Sequence, residues 1–148
     1  NFKEPNAKIH TMHIGGSFAF PFGQVKMTPA LHGSGYIEAG HVYDGGLACG
    51  FLIHAEETNI YHAGDTGLSV EMTLLEDEQI DVALLPIGGN YTMDVKDALK
   101  AIDMIKPKKV VPMHYNTFDL IQAEPKLLEK NDQGSEIFLI EPGASIEL

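Results

Sequence analysis

Three side chains in this sequence are of the types that hold a divalent metal, and all three stand in the same local setting. His32 follows Gln24-Val25-Lys26-Met27-Thr28-Pro29-Ala30-Leu31, Asp65 follows Ile60-Tyr61-His62-Ala63-Gly64, and His114 follows Val110-Val111-Pro112-Met113. Each is an apolar, strand-like run that ends in the metal-binding type and then in small or polar residues. Functional groups in α/β sheets collect where strands run out into loops, so residues distant in sequence can converge there with no local motif. Imidazole and carboxylate suit zinc, manganese or iron, and a carboxylate can bridge two ions with a water between them. Each residue also has a plainer reading. His32 and His114 can be hydrogen-bonded strand-end histidines, and Asp65 can cap a turn with Thr66.

The elements that must position these groups follow from periodicity. Gln24–Leu31 alternates polar and apolar residues as a half-buried strand does, and Leu47–His54 is apolar enough for a central strand. Glu56-Glu57-Thr58-Asn59 turns the chain back into Ile60-Tyr61-His62, a hairpin that delivers Asp65 just past its end. Ser69–Glu78 is predicted as a helix with Val70, Leu74 and Leu75 on one side, and Asp81–Pro86 as a buried strand. Thr92 is predicted to cap a helix with Val95, Ala98, Leu99, Ile102 and Ile105 at spacings of three and four, ended by Pro107. Lys108–Met113 is the strand that delivers His114. A short helix over Glu124–Lys130 and strands over Lys8–His13, Glu136–Ile140 and Ala144–Leu148 complete the expectation, with Ser17–Phe22 leading through Pro21 and Gly23 into a turn. The glycine-rich stretch from Gly33 to Gly46 reads as a loop without regular structure. Strands and helices alternate from residue 58 onward, which is the signature of one α/β domain with a mixed sheet.

Composition narrows the function classes. The chain has 148 residues, 44% of them hydrophobic, which is enough for one domain with a core. A net charge of −11 repels phosphate backbones and anionic lipid, and it argues against nucleic acid and membrane partners. The single cysteine, Cys49, lies in an apolar run and reads as a buried structural thiol, so a reducing cytoplasm fits. No apolar run reaches the ~18 residues of a membrane span. The first residues show neither an initiator methionine nor a signal peptide, so the sequence reads as the later part of a longer chain.

Four segments taken in order carry a resemblance. Thr28-Pro29-Ala30-Leu31-His32-Gly33-Ser34, Tyr61-His62-Ala63-Gly64-Asp65-Thr66, Leu85-Pro86-Ile87-Gly88 and Val111-Pro112-Met113-His114-Tyr115-Asn116-Thr117-Phe118 resemble successive motifs of the metallo-β-lactamase superfamily. The similarity is to its branch of metal-dependent hydrolases related to the L-ascorbate-6-phosphate lactonase group. It implies the C-terminal part of an αββα sandwich with a mixed sheet. Carried over by position, His32 is a ligand of a first metal, Asp65 the carboxylate bridging two, and His114 a ligand of the second.

The superfamily's remaining ligands lie in a His-x-His-x-Asp-His motif that this sequence lacks. His10 and His13 are spaced differently and do not replace it. The resemblance therefore implies two zinc or manganese ions in the complete protein and an incomplete centre in this chain. The implied chemistry is attack by a metal-bound hydroxide on an ester, lactone, amide or phosphoester of a small-molecule substrate. Asp65 would orient the hydroxide, and His62 would pass a proton to the leaving group or stand in a hydrogen-bonded wall. Thr66, Asn90, Tyr91, Tyr115 and Asn116 are candidate substrate or supporting contacts. The rival of another class is a non-catalytic binding or assembly module that has lost its metal centre. Gly33-Ser34-Gly35 lacks the Gly-x-Ser-x-Gly elbow, which disfavours a serine hydrolase. A sandwich without its first strands exposes sheet edge and apolar face, so a homo-oligomer or a complementing N-terminal chain is expected.

Overall fold

Apolar and β-branched runs pair into most of the expected strands in the structure, a computed structural model that describes residues 8–146. In chain order these are β1 (Ser17–Phe20), β2 (Gly23–Pro29), β3 (Tyr36–Glu38), β4 (His41–Tyr43), β5 (Cys49–Ala55), β6 (Thr58–His62), β7 (Val82–Pro86), β8 (Lys109–Met113) and β9 (Glu136–Ile137). One α-helix, α1 (Val95–Ile105), crosses between β7 and β8. Seven strands form one sheet in the order β1-β2-β5-β6-β7-β8-β9, and β3 with β4 makes a separate hairpin.

The direction of each strand decides where the chemistry goes. β5 is antiparallel to both β2 and β6, so β2 and β6 run the same way. β7 and β8 then add parallel to β6. The C-terminal ends of β2, β6, β7 and β8 therefore share one edge of the sheet, and His32, Asp65, Gly88-Gly89-Asn90 and His114 all follow those ends.

Alternation along the strands gives the sheet two unlike faces. Leu52, Tyr61, Ala83, Leu85 and Val110 point to one side and pack against Ala98, Ala101, Ile102 and Ile105 of α1, with Met72, Leu75 and Leu128 beside them. The helix residues fall on one stripe, as a 3.6-residue repeat requires. On the other side Ile53, Ile60, Leu84, Val111 and Met113 are only partly buried, and Phe51 is 37% exposed. Val25 and Val82 on that face are buried, and His10 packs there on Phe18, but no described helix lies across it.

Several expectations are corrected. Asp94, not Thr92, caps α1: its Oδ1 accepts from the Asp97 amide at 2.8 Å, while the Thr92 hydroxyl turns to the Met93 carbonyl. Lys106 closes the helix with φ 53°, ahead of Pro107. Val70–Glu78 is a 3-10 helix rather than an α-helix. With three residues per turn, Met72 and Leu75 share its inner side, and Val70 and Leu74 are left 75% and 73% exposed. The later helix, Pro125–Lys130, is 3-10 as well. Lys8–His13 forms no strand; Gly15 and Gly16 bond to Met27 instead, and His10 stacks on Phe18 with ring centroids 3.8 Å apart.

Within Gly33–Gly46 the hairpin β3–β4 replaces the irregular loop, with Tyr36 stacked on Tyr43. β9 stops at Ile137, and residues 144–146 make no strand; the last two residues of the predicted final strand lie outside the described residues. Cys49 is half-buried rather than buried. No helix among the described residues is long and apolar enough to cross a membrane.

Candidate metal centre

The edge formed by the ends of β2, β6, β7 and β8 is held in shape by a few close backbone approaches. After β6 the chain turns at Gly64, whose φ of 65° and position, with a Cβ there lying 2.5 Å from the Cys49 carbonyl oxygen, admit only glycine. Thr66 comes next and is fully buried. Its hydroxyl accepts from the Leu31 amide at 2.9 Å and donates to the Gly67 carbonyl at 2.8 Å, and the Gly67 amide returns a bond to the Leu31 carbonyl at 3.0 Å. Its own carbonyl accepts from the Met93 amide at 2.9 Å. Thr66 thus ties the Asp65 turn to the residue before His32 and to the start of α1. Its hydroxyl is engaged with backbone groups on both sides.

On the other flank, Gly88 allows the end of β8 to close in. A Cβ at Gly88 would overlap the His114 carbonyl oxygen and lie 2.8 Å from Ile121 Cβ. His114 itself has φ 56°, a left-handed conformation that costs a non-glycine residue on the order of 1–2 kcal/mol. Asn116, at φ 57°, stabilises the next turn: its side-chain amide donates to the Ala123 carbonyl and accepts from the Ala123 amide, at 3.0 and 2.8 Å. These two bonds tie Asn116 to Ala123 in the loop that follows β8.

The result is one close pair of metal-binding side chains. His114 Nε2 lies 3.4 Å from Asp65 Oδ2, with the two side chains 28% and 44% exposed. That separation is long for a hydrogen bond. Two ligands of one tetrahedral zinc, each about 2.0–2.1 Å from the ion, stand roughly 3.3 Å apart, so the donors fit a shared cation. The other ring nitrogen, His114 Nδ1, is buried without a hydrogen-bond partner. Metal-bound histidines ordinarily donate that second N–H to an acceptor, and no described residue supplies one here.

The third predicted ligand does not join the pair. His32 is exposed, with Nδ1 2.6 Å from the Gly33 carbonyl oxygen. Among the described residues no three His, Cys, Asp or Glu side chains gather closely enough to hold an ion. A catalytic zinc ordinarily takes three protein ligands and keeps one position open, so the two donors gathered here are fewer than such an ion requires.

His62 ends β6 beside Phe51 and Leu84, on the uncovered face of the sheet. Its Nδ1 accepts from the Gly64 amide at 3.1 Å, which places the proton of the neutral ring on Nε2. Asn90 is exposed at the tip of the loop after β7, with φ 43°. Tyr115 packs against the core rather than into the site; burial raises its pKa, and the Glu141 carboxylate adds to this. Tyr91 and Phe118 were not paired by any sequence signal. Their rings, 6.4 Å apart, form an exposed aromatic rim where the loops after β7 and β8 meet.

Comparison with known proteins places this arrangement in a family. Residues 1–115 match the family model described as the beta-lactamase superfamily domain. A metal-dependent hydrolase of Natranaerobius thermophilus is 49% identical over 99% of this chain and 64% of its own length. A metallo hydrolase of the archaeon Ignicoccus hospitalis, Igni18, superposes with a TM-score of 0.79 at 38% identity, over 91% of this chain and 58% of that one. The metallo-beta-lactamase fold protein YhfI of Bacillus subtilis shares the fold alone, with a TM-score of 0.62 at 9% identity over 85% of this chain and 50% of that one. The chain thus spans less than two thirds of the length of the relatives it matches. Its mixed sheet with helices on one face and its sequence agree: the chain belongs to the metallo-β-lactamase superfamily, with the metal-dependent hydrolases.

Proposed function

We propose that this chain carries one part of a divalent-metal hydrolase centre and that Asp65 and His114 are its ligands. The 3.4 Å approach of Asp65 Oδ2 to His114 Nε2, at the edge where four strands end, is the observation that supports this most directly. Asp65 and His114 would hold a zinc or manganese ion there, and such an ion would supply Lewis-acid activation of water and polarisation of an ester, lactone, amide or phosphoester bond. Besides holding that ion together with His114, Asp65 would accept a hydrogen bond from the attacking water, which orients it. His62 carries a donor at Nε2 and would hydrogen-bond the leaving-group oxygen. Tyr91 and Phe118 offer apolar contact to a small-molecule substrate, and His32 takes up its ligand role when the rest of the centre is present.

The open side of the sheet supports the accompanying proposal that a complementing N-terminal segment or a second copy covers it and completes the two-ion site. The second reading, a binding or assembly module without a working centre, draws on the finding that the described residues bring together only two metal-binding side chains.

Competitive zinc titration against a chromophoric chelator, on the chain as it stands, tests the proposal. The expected result is at most one weakly held ion per chain, lost in both Asp65→Asn and His114→Ala. Two tightly held ions would overturn the incomplete centre, and binding unchanged in both variants would overturn the assignment of the ligands.

A further inference from the structure

Charged residues are spread along most of the chain, yet from Ile9 to Val25 no residue is Asp, Glu, Lys or Arg. That stretch contains β1, one of the two edges of the seven-stranded sheet. Edge strands are ordinarily blunted by charge, by proline or by brevity. The opposite edge, β9, is two residues long and opens on Glu136. β1 is Ser-Phe-Ala-Phe, and Ser17, Phe18 and Ala19 are all exposed.

Hydrogen bonding within the β1–β2 hairpin decides which main-chain groups face out. Phe20 pairs with Gly23 across the Pro21-Phe22 turn, and the Met27 amide donates to the Gly16 carbonyl at 3.0 Å. Antiparallel bonding alternates, so Phe18 and Phe20 turn their N–H and C=O groups to β2, and Ser17 and Ala19 turn theirs outward. No backbone group among the described residues bonds to them there. Pro21 lacks an N–H, so the outward run of donors ends at Ala19.

These outward groups are self-complementary. With a second β1 antiparallel and Phe18 opposite Phe18, Ser17 stands opposite the partner's Ala19 and exchanges both main-chain bonds with it, and symmetry repeats the pair. Side chains keep their faces, because Phe18 lies with Val25 and Ile53 on the open face and Ser17 with Lys26 and Leu52 on the helix-covered one. A register centred on Ala19 sets the Ser17 carbonyl against Pro21, which has no donor. In the Phe18 register the two aromatic side chains meet as a non-hydrogen-bonded pair, with Cα atoms about 4.5 Å apart, where cross-strand contact is closest. Charge selects the same partner. At a net charge of −11, two copies repel wherever acidic surfaces meet, and the neutral stretch around β1 is where they approach without that cost.

We propose that β1 is a self-association edge that pairs antiparallel with β1 of a second copy, about a two-fold axis at Phe18, and joins two seven-stranded sheets into one. β2 and β5 separate it from β6 and the metal-binding pair, and it uses the rim of the sheet rather than the open face. A few main-chain bonds and one aromatic pair make a small contact, which fills near ~1 mM protein.

Amide–water exchange followed by NMR tests this on the wild-type chain and on Ile53→Lys, which disturbs the open face. Raising either protein from dilute solution to about 1 mM is expected to slow exchange at Ser17 and Ala19 severalfold. Ala19→Pro, which deletes an outward donor and no bond to β2, is expected to abolish the slowing at Ser17 and to keep the thermal midpoint. Single cysteines in a Cys49→Ala background identify the partner and the register. Phe18→Cys is expected to form a disulfide with itself about tenfold faster than Val70→Cys, an exposed position on the 3-10 helix. Ser17→Cys and Ala19→Cys are expected to cross-link when mixed and not separately. Exchange at Ser17 and Ala19 that ignores concentration overturns the proposal, as does Phe18→Cys cross-linking no faster than Val70→Cys. Ser17→Cys homodimers formed as readily as the mixed pair overturn the two-fold at Phe18, and the proposal with it.

Discussion

Tyr61 leads directly to Asp65, and its ionisation is bound to the integrity of that strand. Burial pushes its phenol up to about 12, with the Thr28 hydroxyl acting slightly the other way. An unfolded tyrosine titrates near 10, so the folded chain holds its proton more tightly. The stabilisation is fully present below about pH 10 and is lost as pH rises through about 12, amounting to about 2–3 kcal/mol. Urea denaturation between pH 9 and 12 should show that loss, and Tyr61→Phe should flatten it. At this scale the sequence was informative about ligand types and silent about their supports. Asp65 and His114 each end an apolar run, a signal that can be read locally. Thr66 secures Leu31, which lies 35 positions away, and no local pattern announces such a bond.

Among the elements, the turn at Gly88 is where backbone and site meet most closely. Its conformation is ordinary, so only crowding by the His114 carbonyl and Ile121 requires glycine there. Gly88→Ala should push the end of β8 outward, destabilise the chain by about 1–3 kcal/mol, and weaken zinc binding at Asp65 and His114. Thermal melts and the chelator titration would measure the two effects. The strands flanking the site and α1 were legible, because long apolar repeats report burial directly. Val70–Glu78 was misjudged because its period is three rather than 3.6, and nine residues rarely distinguish the two. Thr92 looked like a cap, yet Asp94 lies nearer the first helical turn and has the better acceptor. Lys8–His13 had a strand-like pattern but gained no partner in the sheet.

For the whole molecule, the unlike faces of the sheet dominate behaviour in solution. One face is packed against α1 and the two longer 3-10 helices, and the other leaves Phe51 exposed and Ile53, Ile60, Val111 and Met113 only partly buried. Contiguous apolar surface of this kind promotes association. We expect sedimentation velocity to show concentration-dependent dimers, and Ile53→Lys or Val111→Lys to shift them toward monomer with little change in thermal midpoint. A monomer at every concentration would count against a covered face. The family resemblance anticipated this asymmetry, whereas composition did not, since 44% hydrophobic residues are compatible with either a closed or an open core.

β6 is the seam of the sheet, antiparallel to β5 on one side and parallel to β7 on the other. That seam also orders events in time. The β5–β6 hairpin closes across a turn at Glu56 and Glu57, a short loop that can form within microseconds. β7 and β8 join only after long crossovers through helices, and such distant pairings are slow to nucleate. The hairpin that leads toward Asp65 is thus a local structure, whereas bringing His114 beside Asp65 requires the distant β6–β7–β8 pairings, and pulsed hydrogen exchange should show β5 and β6 protected before β8.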